Sequence, residues 1–139
     1  TDMDYLMFKP FDLLEENVVI PCNREDGNGN PINLGNCIFA SISNHPFWKS
    51  LMDTLFTIDR TKLDYNKDEN ITGNVLSTGS SFVFAMWQKY YKLKNDIYIG
   101  KKSLFHPPTK NNRKYVELSK NNGCYGMHIC TGLWRNKKL

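Results

Sequence analysis

Two stretches of apolar residues recur at helical spacing, and they restrict this chain more than any other feature of its sequence. Phe47, Trp48, Leu51, Met52, Leu55 and Phe56 fall on one face of a helix that runs to about Thr57. Asn44 stands where a cap belongs, and Pro46 sits in the first turn, where its missing N–H is harmless. Phe82, Val83, Met86, Trp87, Tyr90 and Leu93 repeat the pattern after Ser77-Thr78-Gly79, and Lys89, Lys92 and Lys94 suit the C-terminal end of that helix. The remaining apolar runs are short. Tyr5 to Phe8, Val18-Val19-Ile20 closed by Pro21, residues 36–42, residues 96–99 and residues 125–130 read as strands. Two amphipathic helices set among short strands predict an α/β fold.

Other segments are less determined. Residues 22–34, with Asp26-Gly27-Asn28-Gly29-Asn30-Pro31, read as a surface loop. Residues 59–75 are charged and rich in asparagine, a long irregular insertion. Residues 113–118 suit a strand and a short helix equally. His45 and His106 each precede a proline in a turn and are assigned no role. The four cysteines form no C-x-x-C pair and no Cys/His spacing of zinc-site type, so they read as buried free thiols.

With 139 residues the chain suffices for a single domain with a core. No apolar run approaches the roughly 20 residues of a membrane helix, so no membrane contact is expected of this segment. Charge is divided unevenly. Up to Ile99 there are nine basic and thirteen acidic residues, and from Gly100 onward nine basic residues and the single acid Glu117. A basic C-terminal third suits nucleic acid, an anionic surface or a nucleotide diphosphate, and equally well a solvated tail.

The chain opens on Asp2-Met3-Asp4, directly before an apolar run. Residues i and i+2 of an extended chain share a face, so the two carboxylates can serve one hard cation. Further along stand Lys9-Pro10 and Asp12, then residues 36–41 ahead of His45-Pro46-Phe47-Trp48, then Thr78-Gly79, and near the end His128 and Trp134. In this order they resemble glycosyltransferase family 32, whose D-x-D members include outer-chain α-mannosyltransferases and capsular-polysaccharide-type transferases. The resemblance spans nearly the whole chain. It departs at Ser80, where the family usually has proline, and at Met127-His128-Ile129, where the family has a His-His-Trp pattern.

The resemblance implies a GT-A-like nucleotide-diphospho-sugar transferase fold and retaining transfer of a hexose from a UDP- or GDP-sugar to a glycan acceptor. Asp2, Asp4 and His128 would hold Mn²⁺ or Mg²⁺ as the catalytic metal set, with Asn36, Thr78, Gly79 and Trp134 contacting the donor. The family's nucleotide-binding half lies upstream of the D-x-D motif. Residues 1–139 are therefore expected to be the C-terminal part of a catalytic domain, with little turnover alone, in the cytoplasm or the Golgi lumen. Two other expectations stand beside this one. A lectin-like or scaffold module would keep the fold without catalysis. A nucleic-acid-binding module would use the basic tail with Tyr115, Tyr125 and Trp134; the resemblance implies no nucleic-acid partner.

Overall fold

The computed structural model describes residues 5–10, 12, 15–57, 79–91, 94–107 and 113–129. Its elements run β1 (Tyr5–Met7), β2 (Val18–Glu25), β3 (Pro31–Leu34), β4 (Ala40–Ser41), α1 (Pro46–Thr57), α2 (Ser80–Tyr91), β5 (Ile97–Gly100), α3 (Lys102–Phe105), α4 (Arg113–Asn121) and β6 (Gly126–His128). This is a mixed α/β arrangement, as the two periodicities predict.

β2 carries most of the pairing. Its first half has a partner on each edge, β4 antiparallel through Val18↔Ser41 and β5 parallel through Val18↔Ile97 to Pro21↔Gly100. A strand covered on both faces must be apolar at consecutive positions. Val18, Val19 and Ile20 accordingly show no polar alternation and have no exposed surface. The strand does not end at Pro21, contrary to the sequence expectation. The Pro21 carbonyl accepts the Gly35 N–H at 2.6 Å, and from Cys22↔Leu34 onward β2 pairs with β3. Proline is tolerated where one ladder gives way to another.

Residues 22–34 are thus a hairpin rather than a surface loop, with its turn at Asp26. Asp26 Oδ1 accepts the backbone N–H groups of Asn28 and Asn30, both at 2.8 Å, and Gly29 takes a φ of 82°. The expected strand over residues 36–42 shrinks to Ala40–Ser41. Asn36 lies exposed in the bend before it, and Cys37 and Ile38 are buried.

Side chains alternate across β2, and so they sort two apolar clusters onto two faces. Val18 and Ile20 join Leu34 of β3 and Phe47, Leu51, Phe82, Met86 and Tyr90 of α1 and α2. Val19 joins Tyr5, Cys37, Ile38, Phe105 and Tyr125 on the other face. α1 keeps its expected bounds, but only part of its apolar stripe is covered: Met52 and Phe56 are 47% and 76% exposed. Asn44 is not its cap. That residue takes a φ of 58°, and the His45 ring does the capping, with Nδ1 accepting the Phe47 N–H at 3.3 Å. Its Nε2 faces Asp96 at 3.3 Å.

Residues 113–118 are helical. α4 ends in a Schellman motif, with Gly123 at φ 74°, its N–H on the Lys120 carbonyl and the Cys124 N–H on the Ser119 carbonyl. Residues 59–75 lie outside the described residues. Among the described residues no helix is long and apolar enough to cross a membrane.

Candidate metal centre

β1 and β6 form their own two-stranded antiparallel sheet, with Tyr5 opposite His128, Leu6 opposite Met127 and Met7 opposite Gly126. Gly126 has to be glycine, because a Cβ there would stand 2.5 Å from the Leu6 carbonyl oxygen. This small sheet is tied to α3. The Tyr125 N–H donates to the Leu104 carbonyl at 2.8 Å, the Phe8 N–H donates to the Tyr125 carbonyl at 2.8 Å, and the buried Tyr5 hydroxyl donates to the Phe105 carbonyl at 2.9 Å. The Phe105 and Tyr125 rings stack at 4.9 Å. His106 is the first residue after α3, so these ties bring its ring alongside His128, with centroids 6.3 Å apart.

The loop after β3 brings the third group. Gly35, anchored on Pro21, turns the chain so that Cys37 faces inward, and Cys37 Sγ lies 3.5 Å from His106 Nε2. The donor atoms of Cys37, His106 and His128 all lie within 4.8 Å of one another. Cys37 is 2% exposed and His106 8%, while His128 is half-buried. A Cβ on Gly35 would stand 2.5 Å from His106 Nε2, so the glycine leaves that nitrogen its room. Burial, then His128 and Lys102, push the His106 imidazole down to about 4. It is therefore neutral near pH 7, the form that binds metals. Burial also raises the Tyr5 phenol, and Cys37 and Cys124 add to that.

Two imidazoles and a thiol are placed where they can hold one metal ion. Nitrogen and sulfur donors suit Zn²⁺ and similar ions far better than Mg²⁺, and better than Mn²⁺.

Of the residues marked out by sequence, His128 belongs to this cluster. Asn36 is next to Cys37, and its Oδ1 accepts from the Ser80 hydroxyl at 3.1 Å. Gly79 directly precedes Ser80, and its carbonyl accepts the Val83 N–H at 3.1 Å in the first turn of α2. Asp2, Asp4, Thr78 and Trp134 lie outside the described residues. Cys37 and His106 were not anticipated as site residues. They are 69 positions apart, beyond any spacing rule. The one local signal is the loss of a side chain at Gly35, two residues before Cys37. Comparison of the chain with family models, with curated proteins and with solved structures finds no match.

Proposed function

We propose that this chain is part of a metal-dependent retaining glycosyltransferase of GT-A-like architecture, moving a hexose from a UDP- or GDP-sugar to a glycan hydroxyl. The pairing of β1 with β6 carries the proposal. Tyr5, the residue after Asp4, stands opposite His128 across almost the whole length of the chain. Strand alternation puts Tyr5 and His128 on one face, so the chain must depart from the strand course before Tyr5 if Asp2, Asp4 and His128 are to serve one ion. A second support is the Ser80–Asn36 hydrogen bond, which ties one expected donor contact, Asn36, to the residue that follows another, Gly79. Cys37 follows Asn36 and touches His106, so Asn36 is next in sequence to the cluster that contains His128.

Asp2, Asp4 and His128 would hold a divalent ion, Mn²⁺ in preference to Mg²⁺ because an imidazole belongs to the set, and the ion would supply positive charge to the diphosphate leaving group. The chain's own groups bind and orient the donor. The Asn36 amide can both donate to and accept from sugar hydroxyls, and the Trp134 indole N–H can donate to a phosphate oxygen. The free N–H groups at the start of α2 offer a further anion contact.

Calorimetry with UDP- and GDP-sugars in Mn²⁺, together with chromatography of donor hydrolysis, tests this. Metal-dependent donor binding that disappears in Asp4→Ala, with the circular dichroism unchanged, is the expected outcome. Binding without hydrolysis by the full-length protein indicates the lectin-like module. Phosphate binding that needs no metal, survives Asp2→Ala and falls steeply with salt indicates nucleic acid. Absence of any nucleotide binding by the full-length protein rejects the proposal.

A further inference from the structure

We infer that Cys37, His106 and His128 form a site for a borderline-soft divalent ion of the Zn²⁺ type, with a fourth position left for water or an external ligand. The site does not depend on glycosyl transfer, and it makes a different claim on His128.

Distance is the first argument. A tetrahedral ion with Zn–S about 2.3 Å and Zn–N about 2.0 Å puts the two donors about 3.5 Å apart. Cys37 Sγ and His106 Nε2 are 3.5 Å apart. The other donor separations are at most 4.8 Å. The second argument is the cradle. Gly35 leaves open the space at His106 Nε2 that a Cβ would enter at 2.5 Å.

The third argument is rigidity. Each donor comes from a different element, and each element is held by backbone hydrogen bonds. Gly35 is anchored on Pro21, the His106 N–H closes α3 on Lys102 at 2.7 Å, and His128 is paired with Tyr5 in the β1–β6 ladder. Donors fixed before the ion arrives lose little entropy on binding it.

Two plainer accounts are weaker. A thiol–imidazole hydrogen bond explains Cys37 and His106 but not a second imidazole at the same point. A nucleophilic thiol must be reached by its substrate, and Cys37 is 2% exposed. A metal ligand needs no such access. On binding, Cys37 coordinates as the thiolate and its proton passes to solvent.

The metal-free chain titrated with Co²⁺ provides the test. One equivalent should produce tetrahedral d–d bands and a near-ultraviolet thiolate-to-cobalt charge-transfer band, both removed by Zn²⁺. Cys37→Ser should abolish the charge-transfer band, whereas Cys22→Ser, Cys124→Ser and Cys130→Ser should keep it. His106→Gln, His128→Gln and Gly35→Ala should weaken binding by at least about tenfold. Zn²⁺ should raise the thermal midpoint of the parent chain and not of His128→Gln. That comparison stands even if Cys37→Ser fails to fold. A parent chain without the charge-transfer band overturns the site, as does a band that persists in Cys37→Ser. Co²⁺ binding lost in Asp2→Ala with Asp4→Ala also overturns it, because the ion then belongs to the opening motif. Loss of the cobalt site with Mn²⁺-dependent donor binding intact rejects this inference alone.

Discussion

Tyr125 holds more of the site together than its place just ahead of β6 suggests. Its backbone bonds Leu104 and Phe8, its ring stacks on Phe105, and its hydroxyl donates to the Asp12 carboxylate. Lys9 Nζ lies 4.1 Å from the ring centroid. The Asp12 hydrogen bond, then burial, raise the Tyr125 phenol to about 12, and the same bond holds the Asp12 carboxyl below its usual range. The folded state thus keeps the Tyr125 proton more tightly than the unfolded chain. The resulting stabilisation is complete below pH 10 and disappears as pH rises from 10 towards 12. The Asp12 contribution has the opposite sense. It is present above the ordinary carboxyl range and is lost as pH falls through the lowered value. In Asp12→Ala the Tyr125 titration should move back towards 10, followed by NMR of ring-labelled tyrosine and assigned with Tyr125→Phe. An unchanged midpoint would show that burial alone sets it.

At the level of elements, local periodicity and tertiary pairing each decide different segments. α1 and α2 were legible because an apolar face repeats with the helical period whatever packs against it. β2 was cut short at Pro21 because proline ends most strands, and only the partner exchange from β4 and β5 to β3 shows why it does not do so here. Residues 113–118 were ambiguous, since nine residues give too few turns to separate the periods. Their end is clear in the structure, where Gly123 takes a left-handed φ of 74° with nothing near its Cβ position. Gly123→Ala should cost about 1 kcal/mol through backbone strain alone, measured as a lower urea midpoint with an unchanged slope. No loss of stability would mean that the Schellman bonds re-form with a non-glycine residue at that position.

Across the whole molecule, β2 separates a helix-covered core from the face that holds the three donors. Leu51 lies in the first cluster and Cys37 in the second. Leu51→Ala should therefore lower stability by roughly 2–5 kcal/mol while leaving cobalt affinity nearly unchanged at temperatures where the variant is folded. Equal losses in both would mean that the two faces act as one unit. The basic C-terminal third acts at this scale too. It favours anions over a long range and names none of them.

α1, α2 and the α/β class were settled by the sequence alone, because periodicity and composition are local properties that survive without knowledge of partners. Of the residues the resemblance singles out, His128 joins the cluster of donors. Tertiary structure alone decided what meets what. Cys37 and His106 looked like an ordinary buried thiol and a turn histidine. They became metal-ligand candidates only when the β3–β4 loop, the end of α3 and the β1–β6 ladder brought three donor atoms within 4.8 Å. A coordination site is a relation between side chains far apart in sequence, and nothing in the spacing of one chain segment encodes it.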